Sequence, residues 1–167
     1  MSFSHKDGDN EVRGDFSRLE KLVENLGKDY YVDIGILGES GSTDQGGITL
    51  AGIGAVHEFG TDKAGRGNNT KIPERSFLRM PLETGQKEIE KSLEPQIEKL
   101  LGEGDIEGIF KLIGIAGETR IQEAFESGGF GTWEALKEST IERKGSDAIL
   151  IDTGALRQSI TSKVGGK

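Results

Sequence analysis

Few residues in this chain have the type and spacing that chemistry needs. Ile149-Leu-Ile-Asp152-Thr153-Gly154-Ala155 sets an aspartate between an apolar run and Thr-Gly-Ala. In retroviral-type aspartic proteases, two such carboxylates share a proton across a dimer axis and activate a water. Too little chain follows Gly154 to build a flap and a substrate cleft, and the preceding chain reads mainly as helix. The structural reading is that Asp152 or Thr153 caps a helix starting near Ala155, with Gly154 allowing the turn. His57-Glu58 starts the His-Glu-x-x-His zinc pattern, but Thr61 stands where the second histidine belongs. His57 is therefore expected as a partly buried residue at a helix end. Gly38, Gly41, Gly46 and Gly47 cluster without the Gly-Lys-Ser/Thr that a phosphate loop requires.

Composition narrows the classes further. The 167 residues make one domain-sized chain, 33% hydrophobic and 30% charged, so the core is thin and part of the chain is expected to order against neighbouring subunits. Cysteine is absent, which removes disulfides and thiolate metal sites. A net charge of −8 argues against a dedicated nucleic-acid binder. No apolar run approaches the roughly 18 residues of a membrane span, and the N-terminus lacks the apolar region of a secretory signal. The 29 acidic residues make chance carboxylate pairs the default. No catalytic, cofactor-binding or metal residue is expected, and the chain reads as a non-enzyme.

The elements that would position these residues follow from periodicity. Phe16, Leu19, Leu22, Val23 and Leu26 make one helical stripe over about 15–27, stopped at Gly27. Val32, Ile34 and Ile36 alternate within a strand over 30–37. A glycine-rich loop over 38–47 precedes a short helix over 48–59, and 60–71 reads as a long exposed loop. A helix over about 85–101 carries Pro95, predicted to kink or split it. The most regular helix covers 104–127, and a last helical piece runs from Trp133 to about Arg143. The predicted fold is α+β: a small, mostly antiparallel sheet packed by two to four helices in one domain. That domain spans 14–161, with a mobile arm at 1–13 and a flexible tail at 162–167.

Four blocks in order carry more than any single motif. They are Ile53-Gly-Ala-Val-His-Glu-Phe-Gly60, Ile72-Pro-Glu-Arg-Ser-Phe-Leu-Arg79, residues 133–145 from Trp133 to Gly145, and Leu150-Ile-Asp-Thr-Gly-Ala-Leu-Arg-Gln-Ser-Ile160. Together they resemble the phage virion-morphogenesis family, small tail-completion or head–tail joining proteins, over roughly residues 50–160. Two departures stand out: Ala135 replaces a proline frequent in that family, and the chain stops soon after Ile160, where relatives continue into a strand.

The resemblance implies a structural component at the head–tail joint or the top of the tail, assembled in the host cytoplasm into the virion. It implies a homo-oligomeric ring, such as a hexamer, meeting a neck adaptor, tail terminator or tail tube. DNA would only pass through its channel, and no membrane is involved. Arg75, Phe77, Arg79, Trp133, Asp152 and Arg157 are the candidates for subunit contact. Arg75 and Arg79, four apart at a helix start, could share one face suited to a neighbour's carboxylates, while Phe77 and Leu78 would anchor that helix on the core and Trp133 the last segment. The equally weighted alternative is that these side chains only hold the monomer together. Two other classes stay open, an aspartic-protease-like hydrolase using Asp152 and a phage regulatory binding module.

Overall fold

A computed structural model describes residues 2–7, 10–15, 17–42, 44, 47–65, 67 and 69–166. Where the sequence predicts a mobile arm, strands β1 (Ser2–Asp7) and β2 (Asn10–Asp15) pair antiparallel, Ser2 opposite Asp15. Helix α1 (Ser17–Leu26) follows the predicted stripe, yet Leu19, Val23 and Leu26 on it stay exposed. Its end is pinned where Asn25 Nδ2 donates to the Gly104 carbonyl at 3.0 Å. Strand β3 (Tyr31–Ile36) occupies the predicted place. The expected 38–47 loop contains a single helical turn, α2 (Glu39–Ser42); residues 43, 45 and 46 lie outside the described residues.

Helix α3 (Leu50–Phe59) starts where Thr49 Oγ1 accepts the Gly52 N–H at 3.1 Å. Its interior Gly54 costs helix propensity but admits its neighbours: a Cβ there would sit 2.6 Å from Ile36 Cδ1. The 60–71 segment is not all loop. Strands β4 (Thr61–Ala64) and β5 (Thr70–Ile72) pair antiparallel with an irregular register, leaving only the tip without regular structure among the described residues.

Helix α4 (Arg79–Glu103) runs through Pro95, against the predicted split. Lys91, Glu94 and Pro95 are all exposed, so water can serve the Lys91 carbonyl that a proline four residues on leaves unpaired. Packing along helix α5 (Ile106–Ser127) offsets the rest of the cost. The two form a hairpin turned at Gly104, left-handed with φ 71°, and Asp105 caps α5 by accepting the Gly108 N–H at 3.0 Å. Helix α6 (Glu138–Lys144) begins later than predicted: Trp133 to Lys137 is irregular, with Trp133 buried in the core and the Glu134 carbonyl held by Arg75.

After helix α7 (Ala155–Gln158), strand β6 (Ile160–Gly165) pairs antiparallel with β3 over its whole length, Ile36 opposite Ile160 and Tyr31 opposite Gly165. The predicted flexible tail at 162–167 is thus corrected for 162–165. These residues supply the second strand of a sheet that β3 cannot form alone.

Among the described residues the fold is α+β: seven helices and three two-stranded antiparallel pairings. Helix α5 lies on the β3–β6 sheet, α4 packs on α5, and α3 and α7 meet beside them. The core between these layers is built from Phe77, Ile121, Ala124, Phe125, Trp133 and Leu156. Phe125 stands between Phe77 at 5.3 Å and an edge-on Trp133 at 5.9 Å, arrangements that aromatic rings favour.

The close approach of α5 to the sheet rests on two helix glycines. A Cβ on Gly114 would lie 2.5 Å from Ser162 Oγ and 2.9 Å from Ser162 Cβ, and one on Gly117 would lie 2.5 Å from Ile34 Cδ1. Gly114→Ala should therefore lower stability by about 1–2 kcal/mol, the steric cost exceeding the gain in helix propensity. Gly102→Ala, in open space near the end of α4, should raise it by about 0.5–1 kcal/mol. Urea unfolding of the two variants checks this pair; equal effects would mean that α5 does not press on β6.

Candidate functional site

Helix α4 starts without a polar cap of its own: Leu78 occupies the N-cap position and makes no capping bond. The cap comes from 20 residues back in the chain. Glu58, near the end of α3 and only 4% exposed, turns its carboxylate onto that helix start. Its Oε2 accepts the N–H of Phe77 at 2.8 Å and of Leu78 at 2.9 Å. Its Oε1 accepts the Ser76 hydroxyl at 2.7 Å and the Arg79 N–H at 3.1 Å. Ser76 Oγ in turn accepts the Met80 N–H at 3.0 Å, and the next residue, Pro81, has no N–H to satisfy. Every free donor of this helix start is thereby paired, with a carboxylate at the positive end of the helix dipole.

The neighbouring residues lock the same joint. The Arg75 N–H donates to the His57 carbonyl at 2.7 Å. Arg75 Nε and Nη2 both donate to the Glu134 carbonyl, at 3.1 and 2.9 Å, which fixes the segment carrying Trp133. Burial holds the Arg75 guanidinium below its ordinary pKa, and the charge of Glu134 acts in the opposite direction. His57 is also lowered, first by burial and then by the charge of Arg75, so its imidazole is held toward the neutral form. Its Nδ1 is enclosed with no hydrogen-bond partner among the described residues.

Six residues were predicted at subunit contacts, and the fold divides them. Phe77 is fully buried, Trp133 is 9% exposed and Arg75 is 5% exposed. These three serve the interior of the subunit, and the predicted shared face of Arg75 and Arg79 does not form. Arg75 turns inward to a backbone carbonyl, whereas Arg79 turns outward to Glu74 at 2.9 Å and over the Phe59 ring at 5.6 Å. Asp152 is exposed. Arg157 is tied across to α5, where its guanidinium donates to Gln122 and Glu126 and its carbonyl accepts from Gln122 Nε2 at 3.1 Å. Asp152 does not cap α7; Thr153 Oγ1 instead accepts the Ala155 N–H at 3.3 Å, with Gly154 left-handed at φ 81°.

Between the end of α3, helix α6 and the turn at 150–152 lies a groove of about 400 Å³. His57, Arg75, Thr140, Arg143, Lys144 and Asp152 contribute its polar wall, and Leu136 and Leu150 its apolar part. Leu150 is one of two non-glycine residues with positive φ among the described residues, at 59°, an unfavourable conformation for a bulky side chain. Among the described residues, no three or more His, Asp or Glu side chains come together in a way that could hold a metal ion. Among the described residues, no helix is long and apolar enough to cross a membrane.

Sequence reasoning passed over Glu58, taking His57-Glu58 only as half of a zinc motif. A signal was present: in a helix beginning at Ser-Phe-Leu-Arg, Ser76 can serve one N–H, that of Met80, and the N–H groups of Phe77, Leu78 and Arg79 need an acceptor from elsewhere. The groove gave no signal at all, since it joins His57 and Arg75 to residues 136–152, more than 60 residues further along the chain. In comparisons with protein-family models, curated proteins and solved structures, nothing matches this chain.

Proposed function

We propose that this chain is a structural subunit of a tailed-phage virion, placed at the head–tail joint or the top of the tail and acting in assembly as part of a homo-oligomeric ring. One observation carries the reading. The four sequence blocks that resemble virion-morphogenesis proteins are the segments that hold each other in the fold. The first supplies Glu58 to cap the second, Arg75 of the second grips Glu134 of the third, and the fourth packs Leu156 into the core beside Phe77. An ordered set of motifs that forms one interlocked unit is a sturdier basis for kinship than isolated matches.

Surface properties support association with other subunits. Leu19, Val23 and Leu26 present an apolar stripe 55–64% exposed on α1, and contiguous apolar surface of this kind marks interaction sites. Arg79 and Asp152 remain outside the core, as polar groups for such contacts. The partners would be a neck adaptor, a tail terminator or the tail tube, with DNA passing through the ring.

The test is the solution mass of the purified protein by sedimentation equilibrium, with negative-stain images of virions lacking it. The expected result is a ring, or a monomer whose loss leaves heads and tails unjoined or tails of abnormal length. A monomer or dimer whose loss leaves intact, infectious virions overturns the proposal.

A further inference from the structure

We propose that the groove between α3, α6 and the 150–152 turn is a binding site for an oxyanion, a phosphate or a carboxylate group. Charge is the first observation. The chain as a whole carries −8, yet the groove gathers Arg75, Arg143 and Lys144 against a single lining carboxylate, Asp152. Such a local reversal within an acidic protein concentrates an anion at one place instead of spreading attraction over a surface.

Unused hydrogen-bonding capacity is the second. The guanidinium of Arg75 is fixed by two bonds to the Glu134 carbonyl, while its Nη1 makes none among the described residues. Arg143 forms no ion pair among them, and the Thr140 hydroxyl donates no hydrogen bond among them. His57 Nδ1 is enclosed and unpartnered at the same wall. Lys144 is held in place by donating to the Ala148 carbonyl. A fixed arginine, a free arginine, a lysine and a hydroxyl around one groove form the donor set that oxyanions select, since guanidinium forks match their paired oxygens.

The third observation is the backbone. Leu150 is held with φ 59° at the groove's edge, and residues in such conformations gather at ligand clamps. This site does not depend on a virion role for the chain, and it can be tested whatever the oligomeric state.

The experiment titrates inorganic phosphate, and separately acetate, into the full-length protein at constant ionic strength. Backbone amide shifts of 140–152 are followed by NMR. Saturable shifts with either anion are expected. Saturation by phosphate alone identifies a phosphate-bearing ligand, and saturation by acetate alone identifies an acidic side chain of a partner. Two substitutions at exposed positions must then move affinity in opposite directions. Arg143→Gln should weaken binding about fivefold, and Asp152→Asn should tighten it about fivefold, as roughly 1 kcal/mol for an exposed charge pair predicts. Lys99→Gln, on the exposed side of α4, should leave binding unchanged. Shifts that never saturate, or that remain the same in Arg143→Gln and Asp152→Asn, overturn the proposal.

Discussion

Glu58→Ala should lower the stability of the folded chain by about 3–5 kcal/mol, enough to unfold much of a marginal domain. The carboxylate is buried and serves four donors, three backbone N–H groups and the Ser76 hydroxyl. Removing it strips one helix cap, worth about 0.5–2 kcal/mol. It also leaves enclosed donors unpaired, at about 1–3 kcal/mol for each that water cannot reach. Glu58→Gln tests the chemistry separately from the shape. Its amide keeps one acceptor oxygen but turns an NH₂ group toward N–H donors, so a loss of about 1–3 kcal/mol is expected. Urea unfolding with an unchanged slope would report both. A loss below 1 kcal/mol for the alanine variant would mean that the start of α4 does not depend on Glu58.

Phe77→Ala should cost about 3–5 kcal/mol, through lost burial and the cavity left behind. The ring has no solvent exposure, lies tilted against Phe125 at 5.3 Å, and approaches to 3.5 Å from the position a Cβ on Gly54 would take. Because its N–H is also one of those that Glu58 accepts, Phe77→Ala and Glu58→Ala touch one joint. The double variant should lose less than the sum of the two. Phe59→Ala is the informative contrast. That ring is 65% exposed and lies beneath Arg79, so its removal should cost no more than about 1 kcal/mol. Thermal and urea unfolding of the three variants rank them; a Phe59 loss as large as that of Phe77 would contradict the packing.

The contrast between these two phenylalanines shows how far the sequence was legible. Both stand in short motif blocks, Glu-Phe-Gly and Ser-Phe-Leu; the sequence marks Phe77, beside Leu78 at a helix start, as an anchor on the core, but not what covers it. Burial of Phe77 follows from α3, α5 and α7 closing over it, which is decided by packing among distant elements. Arg75 and Arg79 repeat the lesson. Spacing by four promised one shared face, but Arg75 precedes the first helical turn, where helical spacing does not apply, and turns to the Glu134 carbonyl 59 residues on.

What the sequence determined by itself is the set of local commitments. The stripe from Ile106 to Phe125 makes α5, Asp105 and Gly128 bound it, and the alternation of Val32, Ile34 and Ile36 makes β3. Each is satisfied within a few residues, by backbone bonds and by one face seeking cover, so periodicity alone records it. Tertiary structure decided the rest. It paired Ile160–Gly165 with a strand over 120 residues earlier, kept α4 continuous through Pro95, and set Glu58 beneath a helix that begins 21 residues later. Hydrogen-bond partners and charge gatherings of this kind join residues with no shared period. They exist only once the chain has closed those distances, so no local pattern in the sequence can record them.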